Sequence, residues 1–234
     1  MQDEILKHTK KIYSEVKNPK HTFGEKVKEI IIEILIIVFA VTLSIWLHSW
    51  SEERHQQKEA QKFLIGLKED LKNDITNLEY TKKALDETQQ QISFVEQLTP
   101  QKIDSIKAQH GQINSGTNFI RTLTNSGRYE GFKSSGKINT IENEKLRNNI
   151  LSYYQQTIPQ IGLIENSYEK LTSRYVDLLI NGKEDEDINT TLLKKKTKII
   201  LSGIDNFVKH NQKSYEDAIK EANEIMNEIN KEYK

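Results

Sequence analysis

Between Ile30 and Trp50 the sequence reads IIIEILIIVFAVTLSIWLHSW, with Glu33 its only acid and no lysine or arginine. In a helix, about 21 residues at ~1.5 Å each rise roughly 31 Å, the thickness of a bilayer's hydrocarbon core. A core helix of a soluble protein keeps a polar face, and this segment has none, so a membrane-spanning helix is expected over residues 30–50. A cleaved leader would have a shorter apolar run closed by small residues. Here WLHSWSEER follows instead, and the segment is expected to stay as a signal anchor. Trp46 and Trp50 stand near its C-terminal end, where amphipathic rings favour the membrane–water interface.

Lys10, Lys11, Lys17, Lys20, Lys26 and Lys28 precede the span; Arg54, Lys58, Lys62 and Lys68 follow it, behind Glu52 and Glu53. Positive charge stays in the cytoplasm, so residues 1–29 are expected inside and residues 51–234 outside. An acid within a span is a functional candidate by default. Glu33 lies one turn from the inner end, however, and the favoured reading is a carboxylate that snorkels to headgroups or to Lys26 and Lys28.

The 34 basic and 34 acidic residues cancel, so no global field points to nucleic acid. Cysteine is absent, which excludes disulfides, thiol catalysis and thiolate-held metals. Gln, Asn, Lys, Glu, Ile and Leu dominate, a composition of long solvated helices.

Leu64, Leu71, Leu78, Leu85 and Ile92 recur at seven, with Leu67, Ile75 and Val95 between them. This is one apolar stripe on a helix of about 48 residues that could continue the span. Asp74, Thr81 and Thr88 occupy the alternate core positions, so the stripe is a mediocre dimer seam and needs a partner within the chain. A second stripe runs from Ile150 through Tyr154, Thr157, Ile161, Ile164, Tyr168, Leu171 and Tyr175 to Leu178, with a kink expected at Pro159. Asn139, three residues before Glu142, is expected to cap its start, and NGKEDED (181–187) to end it. A third helix closes the chain over Tyr215 to Ile229, and another is expected before it, broken near Gly203. The fold class is all-α: one N-terminal transmembrane helix, then an extracytoplasmic antiparallel bundle of long, coiled-coil-like helices.

Five glycines fall between Gln109 and Lys137, in the connection between the first two long helices. That connection is expected at the membrane-distal end, with a short helix around Thr117 to Ser135. Within it, GFKSSGKI (131–138) has phosphate-loop spacing but ends in Ile138 instead of Ser or Thr, and no strand precedes it. The expectation is no nucleotide, and a helix that ends on Ser135 and Gly136.

Two stretches, EILIIVFAVTLSIWLHSWSEER with FLIGLKEDLKND, and YEGFKSSGKINTIENEKLRNNILSYY, resemble a bacterial domain-of-unknown-function family, number 6090. Glu33, Trp50, Glu52, Arg54, Leu67, Asp70, Leu71 and Asp74 correspond in the first. Ser135, Gly136, Leu146, Arg147, Ile150, Tyr153 and Tyr154 correspond in the second. The likeness covers roughly residues 30–155. It departs where that family shows Gly before the acid (here Ile32) and Asn-Asn before the Trp (here His48-Ser49). The resemblance implies a single-pass protein of a bacterial cytoplasmic membrane and supplies no chemistry.

His48, Glu52 and His55 share a helix face, but the histidines are two turns apart and read as interfacial polar residues, not as metal ligands. Asp70 and Asp74 share a face without any His, Ser or Lys constellation for acid–base work. A pairing with Arg128, Arg147 or Lys133 is expected, with Arg147 and Arg174 ranked as the partners to look for. Tyr154 and its neighbours read as core with a polar tip. No cofactor and no catalytic set are expected. The expected function is a non-enzymatic interaction or scaffold component of the envelope, with membrane lipid and a protein partner or a second copy. The alternative is a sensory module whose ligand-binding bundle signals through its single span to a partner inside.

Overall fold

The structure is a computed structural model that describes residues 6–7, 9–11, 13–14, 23–111, 113–181 and 187–233. Helices account for nearly all of them, and among the described residues there is no β-strand. The chain divides into two compact units, Met1–Glu59 and Ala60–Lys234.

The first long helix, α1, is Phe23–Glu96, 74 residues in length. No proline interrupts it, and Gly24 and Gly66 are its only glycines, so its backbone hydrogen bonds can run unbroken. Its part in the first unit is apolar and long enough to cross a membrane. Leu35, Phe39, Ile45 and Trp46 are exposed there. The hydroxyls of Thr42 and Ser44 donate to the carbonyls of Val38 and Ala40, each at 2.7 Å, which hides them from an apolar solvent. Trp46 and Trp50 stack at 6.5 Å, and the Arg54 guanidinium lies 4.7 Å from the Trp50 ring centre.

The second unit takes up α1 from Ala60 and adds α2 (Pro100–Ala108), α3 (Gly127–Ser134), a 3₁₀ turn (Lys137–Thr140) and α4 (Glu144–Ser152). A π turn (Tyr153–Thr157), α5 (Ile158–Ile180), α6 (Ile188–Leu193) and α7 (Lys195–Glu232) complete it. The starts are chemically marked. Thr99 accepts from Lys102 N–H and Pro100 takes the first position of α2, where a missing donor costs nothing. Asp187 caps α6, and Lys198 Nζ donates to the carbonyls of Glu96, the last residue of α1, and of Leu98 just beyond it.

Cross-contacts fix the directions. Lys198 meets Glu96, Gln212 meets Asp86 and Lys82 meets Glu216, so α7 runs antiparallel to α1. Thr157 meets Glu221 and Asn149 meets Glu228, so α7 is antiparallel to α4–α5 as well. The α1 and α4–α5 segments are therefore parallel. What joins them is not a distal loop but a return crossing: residues 113–126, which carry no helix, lie along the groove between them. The short helix expected around Thr117 to Ser135 is confined to Gly127–Ser134.

This strap is extended, as its contacts prove. Asn118 bonds Thr88 and Asn125 bonds Asp74. From Asp74 to Thr88 the helix rises roughly 21 Å. The interval from Asn118 to Asn125 covers that distance only at the ~3.3 Å per residue of an extended chain. Ile120, Thr122, Thr124 and Ser126 turn inward while Phe119, Arg121 and Leu123 turn outward, the period of a strand.

Two apolar cores result. One gathers Leu78, Leu85 and Ile92 of α1 with Ile161, Tyr168 and Tyr175 of α5 and Leu201, Ile204, Val208 and Tyr215 of α7. The other gathers Leu64, Leu67 and Leu71 with Tyr129, Ile141, Leu146, Ile150, Ala222 and Ile225. Two expectations are corrected in this unit. The cap of α4 is Asn143, whose Oδ1 accepts from Leu146 N–H at 3.0 Å, and not Asn139, which lies in the 3₁₀ turn. The helix starts late because Ile141 must first reach the core in extended backbone. The break expected near Gly203 falls instead at Lys194, and α7 passes through Gly203 unbroken. One glycine costs a helix only ~1 kcal/mol, less than Leu201 and Ile204 return by burial on its core face. The NGKEDED loop lies mostly outside the described residues.

Candidate functional site

Asp74 sits between Leu71 and Leu78, where the repeat calls for a hydrophobe, and it is fully buried. Its Oδ1 accepts from Asn125 N–H at 2.7 Å and its Oδ2 from the Tyr153 hydroxyl at 3.3 Å. One turn earlier, Asp70 accepts from Asn125 Nδ2 at 2.9 Å and from Arg128 Nε at 2.8 Å. Asn125 thus bridges both carboxylates, one with its backbone and one with its side chain.

Gly66 makes the Arg128 contact feasible. A Cβ at Gly66 would stand 2.3 Å from Arg128 Nη1, so the guanidinium lies against bare helix backbone. Arg128 is therefore the partner of Asp70. Arg147 donates instead to Ile141 O at 3.2 Å, and Arg174 is exposed on α5. The parallel course of α1 and α5 places Arg174 beside the strap's other end. Asp74 itself has no cationic partner among the described residues.

The same layer contains a helix irregularity. Pro159 offers no N–H to the preceding turn, and the chain widens to a π turn at Tyr153–Thr157. The widening lets Tyr153 and Tyr154, adjacent in sequence, both point inward, edge to face at 4.9 Å. Tyr154 also stacks on Tyr129 at 4.5 Å, and Gln155 donates to the Tyr129 hydroxyl at 2.7 Å. The Tyr154 hydroxyl is buried with no hydrogen-bond partner among the described residues. Thr157 donates to Glu221 of α7 at 2.6 Å. A polar layer thus crosses strap, α1, the π turn and α7, and it separates the two apolar cores.

Burial pushes the Asp74 carboxyl above the ordinary carboxylate value. The bonds from Asn125 and Tyr153 favour its charged form, the neighbouring Asp70 opposes it, and the net direction is up. Burial likewise raises both tyrosines, with the Asp74 charge adding to it.

The rest of the strap is held by the same means. Asn118 N–H donates to Thr88 Oγ1 at 3.1 Å, and the Thr81 hydroxyl lies 3.1 Å from that of Thr122. From α5, Tyr175 donates to Ser115 O at 2.5 Å and Tyr168 to Asn118 O at 3.0 Å. Glu165 accepts from Thr122 N–H at 2.8 Å and Thr122 Oγ1 at 2.6 Å, with the Tyr215 hydroxyl at 3.3 Å. Asp74, Thr81 and Thr88, the poor core positions of the repeat, all seat the strap on α1.

The remaining candidates are placed as follows. Gly136 has φ +74° and follows Ser135 at the end of α3, so GFKSSGKI is a helix terminus followed by a 3₁₀ turn. Glu33 is buried and paired with Lys11 Nζ, not with Lys28. The Lys26 side chain lies outside the described residues. His48 is exposed, and His55 faces Glu59 at 3.8 Å. Asn125, Thr122, Glu165 and Tyr153 escaped the reading of spacing alone. Residues 119–126 read FIRTLTNS, whose apolar Phe119 and Leu123 face outward, so no alternation in the sequence announced them.

A model of a family of unknown function, DUF6090, matches residues 33–210. The chain belongs to this family. The match takes in α1 from Glu33, the strap, the polar layer apart from Glu221, and the first part of α7. For this DUF6090 chain there is no match among curated proteins and none among solved structures.

Proposed function

We propose that this protein is anchored in a bacterial cytoplasmic membrane by residues 30–50, with its N-terminus inside and its helical domain outside. That domain acts as a non-enzymatic interaction or scaffold component of the envelope. The anchor reading is supported by the apolar helix and its exposed side chains. The stacked Trp46 and Trp50, with Arg54 over the second ring, supply an aromatic belt at one end. The lysine-rich segment before the span supports the orientation.

The observation that carries the interaction reading is the outer face of the strap. Phe119 is 73% exposed and Leu123 71%, and Tyr80 of α1, 75% exposed, lines one groove with Phe119. Lys83, Arg121 and Glu87 border that groove. Large apolar side chains ringed by charge are the anatomy of a protein contact surface. A photo-crosslinking amino acid at Phe119 should give one discrete adduct in intact cells, and the same residue at Glu79 none. Equal or absent labelling at the two positions would remove the reading. An adduct at twice the chain's mass would make the partner a second copy.

The sensory alternative is favoured by a different observation, the polar layer that spans every long element of the domain. A ligand that altered it would act on α1, the helix that continues from the apolar segment. Ligand-dependent protection of Tyr153 and Asn125 from exchange would support it.

A further inference from the structure

Asp74 is a buried carboxylate whose nearest ionic neighbours do not neutralise it. On α1 it faces Asp70, on the strap Asn125, and on the π turn Tyr153, with the Tyr154 ring in its field. Arg128, the cation of this layer, has its Nε committed to Asp70. The bonds Asp74 does make hold one end of the strap: the Asn125 peptide on one oxygen and the Tyr153 hydroxyl on the other.

We propose that Asp74 is a proton-operated latch, which holds the strap end at residues 124–128 closed when protonated and loosens it when ionised. With the proton on Oδ2, that oxygen donates to the Tyr153 hydroxyl while Oδ1 still accepts from Asn125 N–H, so both contacts survive. Without the proton, Asp74 is a fully buried charge with Asp70 one helical turn away as a like charge. Opening the strap end hydrates the carboxylate and relieves both burdens.

The sign follows from the raised carboxyl. A group that binds its proton more tightly in the closed form favours closure at low pH. That preference is lost as pH rises from the ordinary carboxylate value through the raised one. The peptide groups of the other end of the strap are held by neutral hydroxyls, Thr88, Tyr168 and Tyr175, and the Glu87 carboxylate touches only the Asn118 side chain, at 3.4 Å. That end supplies a reference that the Asp74 carboxyl does not reach.

Hydrogen exchange on the full-length protein in detergent micelles at pH 5 and pH 8, corrected for intrinsic exchange, tests the latch. The opening constant of residues 124–128 should rise on the order of ten-fold at the higher pH, and that of residues 115–119 should stay constant. Asp74→Asn keeps both contacts without a charge and should abolish the pH response. Tyr153→Phe removes a bond that favours the charged form and should move the response to higher pH. Equal opening at both pH values in the wild type overturns the proposal, as does an unchanged response in Asp74→Asn. If Asp74→Asn lacks native helix content, an unshifted midpoint in Tyr153→Phe overturns it equally.

Discussion

Asp70 and Arg128 meet only because residue 66 has no side chain. Two terms compete at that position. Alanine there would add ~1 kcal/mol of helix propensity. Its methyl group would also displace the guanidinium, and a charge-assisted bond is worth about 1.5–3 kcal/mol. Gly66→Ala should therefore destabilise by about 1 kcal/mol in the wild type and stabilise by about 1 kcal/mol once Arg128→Ala has emptied the space. Chemical denaturation of the four proteins of this cycle measures the change of sign, and additive effects would contradict the geometry. That Asp74 needs a polar partner was legible from its place in the repeat. Which partner was not, because the answer depends on a strap whose course no local periodicity of α1 encodes. Asn139 and Asn143 illustrate the same limit. Both are adequate caps, and the choice falls to the burial of Ile141 between them.

At the scale of the element, the stripe of α1 behaves as two interleaved rows with separate tasks. Leu78 belongs to the apolar row and is fully buried, while Glu79 is exposed. Leu78→Asp should cost several kcal/mol, because an unpaired charge enters the core. Glu79→Ala should change stability by under about 0.5 kcal/mol. Thr88 belongs to the polar row. Thr88→Val keeps its shape but strips Asn118 N–H of its acceptor, at a cost of about 1–2 kcal/mol. Thr76→Val, exposed on the same helix, should cost under about 0.5 kcal/mol. Thermal or urea unfolding separates these outcomes, and equal losses at Thr76 and Thr88 would mean the strap is not seated there. The helices were legible because a stripe of Leu, Ile and Tyr declares its period over many turns. The π turn was legible only as a kink at Pro159. That the widening would admit Tyr153 beside Tyr154 depends on space left by Tyr129 and Asp74, which lie far away in sequence.

For the whole molecule, the proposed topology makes a direct demand. A reporter fused after Lys234 should behave as exported, and protease added to spheroplasts should remove the helical domain. Cytoplasmic reporter activity would reverse the orientation and every compartment assignment that follows from it. The all-α class and the family were both readable from the sequence, the class from periodicity and the family from its paired signatures. The parallel arrangement of α1 and α5 was not. Two long helices in succession suggest a hairpin, and only an extended connection can carry the chain back far enough to start the second helix beside the first.

The strap also limits how such a chain can change over generations. Between Asn118 and Asn125 its length is tied to the rise of α1 between Thr88 and Asp74. One inserted residue would turn every later inward side chain outward and offset every later seat by ~3.3 Å. Substitution at the outward positions is far less constrained, since most of the strap's bonds are made through its peptide groups. Relatives should therefore vary freely in what residues 119, 121 and 123 are and hardly at all in how many residues separate the seats. Insertions should collect outside the interval between the seats.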